Sequence, residues 1–473
     1  MTARARSIDG RSFTFEAPIG VAVGAGTYVT ISRADGTALL GQVLEVAASP
    51  RSTGGGELLT GRGSLLSSAG AAAFVDASLE PAPASVVVDH LGAAGAATAG
   101  IEIGNVQGVA DAPARLQAKG FGRHTFLCGQ SGSGKTYTLG LVLERLLLET
   151  DIRLVVLDPN SDYVNLARVR PKADAGLPGD VYDELVERYA SISPDVHVFG
   201  GPGSERPLKA RFGRLSFEQQ TKVLGLDPLS DAEEYNAFVR MTRRLGDDYT
   251  LDDVLDAVQR SFDTANRRLG LRIDNMGVRD LSIWARDDQP VMAQLPDDWR
   301  VLIADLGSLG SAEERSISAA ALLGFLWDAR HARRPVIVVI DEAHNVCPER
   351  PTTANQVLAT DHAIRIAGEG RKYGLYLLLS TQRPSKIHPN VLSQCDNLLL
   401  MKMNSTGDIA TLTETFSYAP PSLVAQAPYF GLGEGLAAGK IAPDPLLFGS
   451  GRRLTVEGGS DVPSTWASPR SAG

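Results

Sequence analysis

The feature that most constrains this chain is the stretch at residues 129–136, which reads Gly-Gln-Ser-Gly-Ser-Gly-Lys-Thr. It matches the pattern G-x-x-x-x-G-K-[S/T] in full, and its glycines let backbone N–H groups turn inward around phosphates that a Cβ would obstruct. The apolar run His124–Leu127 precedes it, and Thr138–Leu148 follows with helical periodicity. The loop therefore lies between a strand and a helix N-terminus, which favours phosphate binding over a chance glycine-rich turn.

This loop predicts ATP and Mg²⁺ as cofactors. Lys135 would place its charge on the β- and γ-phosphates, and the Thr136 hydroxyl would reach Mg²⁺. The residues expected to contact the nucleotide are Gly129, Ser131, Gly132, Ser133, Gly134, Lys135, Thr136 and Tyr137.

A second signal is the apolar run Val336–Ile340, which ends in Asp341 and Glu342. Five apolar residues predict a strand buried on both faces, and ligands bind at the carboxyl ends of such strands. We expect Asp341 to hold the Mg²⁺ shell, and Glu342 to orient or deprotonate the attacking water. A strand followed by an acidic helix cap is the alternative, and the upstream phosphate-binding loop favours the catalytic interpretation.

A third signal is the strand pattern Leu375–Leu379, which leads into Ser380-Thr381-Gln382-Arg383-Pro384. Gln382 is predicted to contact the γ-phosphate or the water without bringing a charge. A plain turn is the alternative for this segment.

Just upstream, Arg371 and Lys372 lie in the glycine-flanked stretch 368–374. A cation here could reach a nucleotide across a subunit interface, an effect worth about 10³–10⁵ in rate. The alternative is a basic helix C-terminus, which the helix dipole favours. Arg371 is preferred as the catalytic cation because its fork suits phosphate, and Lys372 and Arg383 remain candidates.

Composition narrows the class of protein further. The 473 residues carry 46 Lys+Arg against 55 Asp+Glu, a net charge of −9, which argues against a protein that coats nucleic acid but not against a local basic channel. The three cysteines lie far apart in sequence, which fits a reducing cytosol. No apolar stretch reaches about 18 residues, so we expect no membrane span and a cytoplasmic location.

Several segments together resemble the HerA branch of the HerA/FtsK superfamily of P-loop ATPases. These segments are Gly370–Met403 around the third signal, Asp341–Pro348, the N-terminal 26–46, and Asp158–Tyr163. The last of them is similar to a family motif that usually has His-Gly where this chain has Asn160-Ser161. Asp341–His344 also spells the DEAH quartet of another helicase superfamily, but the companion motifs of those helicases are not apparent.

The resemblance implies a homohexameric ring that translocates on double-stranded DNA. Proteins of this kind act with a NurA-like nuclease in DNA end processing and repair, or with a sirtuin-like or nuclease effector in antiviral defence. Two other functions stay open at this stage. One is a nucleotide-gated hexameric scaffold for a defence effector; the other is an export motor related to type IV secretion, against which the missing membrane anchor counts.

The predicted fold class is α/β: a RecA-like P-loop core with a parallel sheet, a small N-terminal β-barrel and a helical insertion. The polar, glycine-rich stretch 51–63 is expected to be a loop within the barrel, and 92–100 a linker or a loosely packed crossing. The expected division is 1–91 for the barrel, 92–122 for a linker into the core, 123–215 for the first part of the core, 216–297 for the insertion, 298–435 for the second part of the core, and 436–473 for a C-terminal arm.

Overall fold

In the computed structural model, which describes residues 3–49, 58–66, 72–95, 99–286 and 289–459, the chain begins with six antiparallel strands. They are β1 (Ala3–Ser7), β2 (Ser12–Pro18), β3 (Tyr28–Ser32), β4 (Ala38–Ser49), β5 (Leu58–Leu65) and β6 (Phe74–Pro81). They close into a barrel in the order β1-β2-β5-β4-β3-β6, and alternate side chains of β2 and β3 fill its interior. The predicted N-terminal barrel is confirmed.

The glycine-rich stretch around Gly61 and Gly63 is part of strand β5 and not of a loop. A Cβ on Gly61 would lie 2.5 Å from the ring of Phe15, and one on Gly63 would meet the ring of Phe13. These glycines are therefore places where an aromatic ring covers the strand. The loop prediction was wrong for 58–63, and residues 51–57 lie outside the described residues.

The second sheet has eleven strands and carries the phosphate-binding loop. It consists of β7 (Gly100–Val106), β8 (Pro113–Gln117), β9 (His124–Cys128), β10 (Arg153–Asp158), β11 (Val196–Phe199), β12 (Val301–Asp305), β13 (Val336–Ile340), β14 (Leu375–Thr381), β15 (Cys395–Met401), β16 (Glu434–Gly439) and β17 (Leu446–Ser450). The order is β11-β12-β10-β13-β14-β9-β15-β16-β17-β7-β8.

The first seven strands of that order are parallel and the last four pair antiparallel. Every residue of β9, β12 and β13 is buried, as expected for strands that helices cover on both faces. The predicted α/β fold class with a parallel core sheet is thus confirmed. Strands β7 and β8 lie in the segment expected to link barrel and core, and they extend the sheet at its antiparallel edge.

Thirteen α-helices occur in the described part of the chain. They are α1 (Ala84–Gly95), α2 (Lys135–Glu149), α3 (Lys172–Ala175), α4 (Gly179–Ala190), α5 (Phe217–Val223), α6 (Ala232–Leu245), α7 (Leu251–Gln259), α8 (Thr264–Asn275), α9 (Ala312–Asp328), α10 (Ala354–Glu369), α11 (Pro389–Leu392), α12 (Thr406–Thr415) and α13 (Pro421–Val424). Helices α5 to α8 form the charged helical region, and capping boxes at Ser216 and Thr250 begin α5 and α7. Their apolar faces share one core with the sheet.

The last described segment, 451–459, runs beside α2, and its Thr455 forms an antiparallel β-bridge with Val169. The predicted C-terminal arm, 436–473, contains the end of β16 and all of β17, so its first part belongs to the sheet. Its residues 460–473 lie outside the described residues. All three cysteines are buried and unpaired. Among the helices described above, none is long and apolar enough to cross a membrane.

Candidate active site

The phosphate-binding loop joins β9 to α2 and has the backbone that its glycines allow. Gly132 and Gly134 have φ values of 75° and 89°, in the left-handed region where a side chain would be strained. Gly134 is the N-cap of α2, so the free N–H groups of the first helical turn adjoin the loop. Ser131 and Gly132 are exposed, whereas Ser133 is buried. This backbone leaves a concave surface that is suited to phosphate.

Hydrogen bonds also hold the phosphate-binding loop against the residues beside β15 and β16. The N–H of Gln130 donates to the carbonyl of Lys402 over 2.9 Å, and the N–H of Asn404 donates to the side-chain oxygen of Gln130 over 3.0 Å. The N–H of Gly433 donates to the carbonyl of Ser133 over 2.9 Å. The loop is therefore fixed by residues that follow β15 and precede β16.

Lys135 is the centre of a buried charge network. Its Nζ lies 2.9 Å from Asp341 Oδ1, 3.0 Å from Glu342 Oε1 and 3.0 Å from Ser380 Oγ. Burial alone would lower the pKa of Lys135, but the two carboxylates outweigh it and raise the pKa above its ordinary value. Lys135 therefore stays charged, in the position where a γ-phosphate would compete with the carboxylates for it.

Asp341 has the chemistry of a magnesium ligand. Its side chain is fully buried, and its Oδ2 has no hydrogen-bond partner among the described residues. Thr136 lies in the first turn of α2 and is partly exposed. A buried carboxylate oxygen and a hydroxyl next to a phosphate loop fit Mg²⁺, which takes its other ligands from phosphates and water. Within the described ranges, no group of three or more His, Cys, Asp or Glu side chains would hold a metal by itself.

Glu342 is clamped in an uncommon backbone conformation. Its φ of 42° is left-handed, which is rare for a residue other than glycine. Gln382 Nε2 donates to Oε1 over 3.0 Å, and His344 Nδ1 lies 3.3 Å from Oε2. Burial raises the pKa of Glu342, but the hydrogen bond from His344 and the charge of Lys135 bring it down to about 2. Such a carboxylate stays ionised and is a weak base, so it is suited to orient a water molecule and not to take its proton.

The structure brings Gln382 into the site but places Arg371 elsewhere. Gln382 follows β14 at the carboxyl edge of the sheet, whereas Arg371 precedes β14 at the opposite edge. Seven strand residues at about 3.3 Å each separate the two edges. Arg371 Nη1 lies 2.9 Å from Asp396 Oδ2, and Arg123 Nη1 lies 3.3 Å from the same oxygen. Arg371 is therefore remote from the phosphate-binding loop of its own chain.

Tyr137 lies against the last described segment, 451–459. Its hydroxyl accepts a hydrogen bond from the N–H of Arg453 over 2.8 Å, and the guanidinium of Arg170 lies 5.9 Å from its ring centroid. The tyrosine thus fixes the position of α2 relative to this segment, and its contact with a nucleotide stays a prediction.

Sequence reasoning noted 158–163 only as a motif and gave no role to its two carboxylates, Asp158 at the end of β10 and Asp162 in the loop that follows. Asp158 accepts hydrogen bonds from the N–H groups of Asp162 (3.0 Å) and Tyr163 (2.8 Å), while burial raises its pKa to about 7. Burial and the charge of Asp341 raise the pKa of Asp162 to about 6. The sequence contained the signal that would have found Asp158, which is a carboxylate at the carboxyl end of an apolar run. Asp158 ends a buried strand, just as Asp341 follows one.

Another residue without a predicted role is Glu144, which is fully buried in α2. Its carboxylate accepts the N–H of Leu454 (2.8 Å) and both the N–H (2.9 Å) and the hydroxyl (3.0 Å) of Thr455. Arg453, with 1% of its side chain exposed, lies beside it. Because these partners are more than 300 residues away in sequence, nothing local distinguished Glu144 from a surface glutamate.

A protein-family model matches part of the chain. The protein-family model described as "Helicase HerA, central domain" matches residues 101–318. This interval begins at β7 and contains the phosphate-binding loop, the end of β10 and the helical region α5 to α8.

Individual relatives point the same way. The chain is 24% identical over 360 residues to the DNA double-strand break repair helicase HerA of Sulfurisphaera tokodaii, covering 73% of this chain and 68% of the relative. It is 23% identical over 373 residues to the protein of that name from Saccharolobus solfataricus, covering 73% and 67%. Among solved structures, VirB4 of Thermoanaerobacter pseudethanolicus matches with a TM-score of 0.53 and 15% identity, over 75% of this chain and 96% of that one. The VirB4 match shows the fold alone.

The Glu144 contacts predict that this residue fixes the helix of the phosphate-binding loop. Glu144→Ala leaves two buried N–H groups without an acceptor, which should lower the free energy of unfolding by about 2–4 kcal/mol. Glu149→Ala on the same helix removes only a partly exposed pair with Arg188 and should cost less than about 1 kcal/mol. Chemical denaturation of both variants measures the difference, and equal losses would contradict this role.

Proposed function

Because this chain is a HerA-like P-loop ATPase that hydrolyses ATP, we propose that it is a motor that moves double-stranded DNA. The observation that carries the proposal is the buried network in which Lys135 of the phosphate-binding loop meets Asp341 and Glu342. Relatives named as DNA repair helicases support DNA as the substrate that is moved.

In the proposed reaction, ATP lies on the phosphate-binding loop with its γ-phosphate toward β13 and β14. Lys135 contacts the β- and γ-phosphates, and Thr136 and Asp341 would hold Mg²⁺, which would supply positive charge beside the phosphates when bound. Glu342 and Gln382 orient the water for in-line attack. The low pKa of Glu342 suits this orienting role, because the carboxylate keeps its charge at neutral pH.

We propose that the ATP sites lie at the interfaces between the subunits of a homohexameric ring. Arg371 lies at the sheet edge away from its own phosphate-binding loop, so any contribution it makes to catalysis goes to the site of a neighbouring subunit. Its pairing with Asp396 holds the guanidinium in place from its own subunit. Lys372 and Arg383 are the alternative donors.

Two loops at the carboxyl edge supply a route from DNA to the catalytic groups. The loop after β13 and the loop after β14 contact each other, since Pro348 pairs with Ile387 and the N–H of Glu349 donates to the carbonyl of Lys386 over 2.8 Å. Arg350 and Lys386 are exposed on these loops. We propose that both side chains contact DNA phosphates, so that DNA binding shifts the loops that begin at Glu342 and Gln382.

We further propose that the ring works in the cytoplasm together with an effector. A NurA-like nuclease would place it in DNA end processing and repair, and a sirtuin-like or nuclease effector would place it in antiviral defence. The resemblance of the sequence supports these partners.

The first test removes the charge of Glu342 and keeps its shape. Glu342→Gln should bind ATP with wild-type affinity and hydrolyse it about 100-fold more slowly or worse, because the amide orients water poorly. Phosphate release gives the rate and calorimetry gives the affinity, with Glu349→Gln on the adjacent loop as control. Full turnover by Glu342→Gln would show that the residue has another role.

The second test concerns DNA. Duplex DNA should stimulate the ATPase, and Lys386→Ala or Arg350→Ala should weaken the stimulation while leaving the rate without DNA unchanged. Each variant should reduce the slope of log affinity against log salt by about 1. Arg243→Ala, an exposed arginine on α6, is the control. If no duplex stimulates the wild-type enzyme, a nucleotide-gated scaffold replaces the motor.

The third test mixes two inactive variants. Lys135→Ala lacks a working phosphate-binding loop, and Arg371→Ala lacks the proposed cation, so each alone should hydrolyse little ATP. In mixed rings, an intact loop from one variant meets an intact arginine from the other, and activity should return. Arg123→Ala, which removes the other partner of Asp396, controls for local distortion. Mixtures that stay inactive while wild-type and Lys135→Ala subunits exchange freely would exclude Arg371.

A further inference from the structure

The position of the catalytic groups fixes the direction in which a bound nucleotide extends. Asp341 and Glu342 follow β13, Ser380 is the next-to-last residue of β14, and both strands lie on one side of β9. Since Lys135 and the carboxylates mark the γ-phosphate end, the ribose and base extend toward the other side of β9. There the neighbouring strands are β15 and β16.

A short segment before β16 lies against the phosphate-binding loop on that side. The N–H of Gly433 donates to the carbonyl of Ser133, and the N–H of Ser450 donates to the carbonyl of Gly433 over 2.8 Å. Leu432 Cδ1 is only 3.5 Å from where a Cβ on Gly134 would lie. The segment is therefore held in place at the rim of the loop.

Two large side chains of this segment are exposed, and one of them, Leu432, lies next to the loop. Tyr429 is 85% exposed and Leu432 is 79% exposed, three residues apart in sequence. The backbone around them is ordered by local bonds, in which the N–H of Tyr429 donates to the carbonyl of Gln426 (2.8 Å) and the N–H of Gly431 donates to Glu434 Oε2 (2.7 Å). Exposed apolar surface at a fixed place beside a ligand site is typical of a surface that the ligand covers.

We propose that Leu432 and Tyr429 form a platform that binds the base of ATP. This inference rests on the proposed placement of ATP on the phosphate-binding loop. Leu432 packs against a face of the base, and the Tyr429 ring provides a stacking surface. Such contacts depend on the area of the base and not on hydrogen bonds at its edge, so the platform favours purine over pyrimidine nucleotides and treats ATP and GTP alike.

The test separates base binding from phosphate binding in the full-length chain. Leu432→Ser and Tyr429→Ser should each weaken ATP and GTP binding on the order of tenfold, since stacking on a side chain is worth that much. Binding of inorganic tripolyphosphate, which has no base, should not change. Tyr429→Phe should keep wild-type affinity, and the advantage of ATP over CTP should shrink in both serine variants.

Leu229→Ser is the matched control, because Leu229 is 88% exposed in the loop before α6. Equal loss of ATP and tripolyphosphate binding, or unchanged ATP binding, overturns the platform. A change of oligomeric state with nucleotide binding intact also overturns it and assigns the two side chains to a subunit interface. If the Lys135→Ala variant binds ATP as tightly as the wild type, the placement of ATP itself is wrong, whatever the serine variants do.

Discussion

The buried ion cluster of Lys135, Asp341 and Glu342 is the interaction on which the rest of the site depends. A buried ammonium is tolerated only with charged partners, and its two partners come from a strand that is not adjacent to its own. Strands β9, β14 and β13 must therefore keep their parallel register for the cluster to form. Two carboxylates against one ammonium leave the cluster with a net negative charge, which favours a cation beside it.

The sequence predicted the features that have a local cause. A glycine-rich loop before an amphipathic helix, and carboxylates directly after apolar runs, gave the places of Lys135, Asp341 and Glu342 in the fold, and the structure joins them in one cluster. The same rule would have found Asp158. Glu144 could not be found, because its partners Leu454 and Thr455 are brought to it only by the complete fold.

Glycine was the signal that sequence reasoning interpreted least well. The pattern of Gly61 and Gly63 is the same whether a chain turns there or an aromatic ring covers a strand, and the decisive ring belongs to β2, more than 40 residues earlier. By contrast, Gly132 and Gly134 stand within a motif that fixes their conformation locally. A glycine thus has a predictable role only when its neighbours in sequence determine the backbone it must adopt.

The last described segment, 451–459, connects α2 with the loop after β10. Glu144 and Tyr137 of α2 hold Arg453 to Thr455, and the N–H of Gly458 donates to the carbonyl of Asp162 in the loop after β10. The segment therefore joins α2 to the loop that carries Asp162.

The net charge of −9 acquires a different meaning in this arrangement. Charges more than about 8 Å apart are largely screened at physiological salt, so DNA responds to the groups that it meets at close range. Arg350 and Lys386 lie on the loops that touch the catalytic groups, whereas the acidic excess is a property of the whole chain. In the proposed ring, the few basic contacts of one subunit would be repeated around one duplex. The acidic total therefore does not argue against the proposed DNA binding, and assembly would be the step that creates the DNA site.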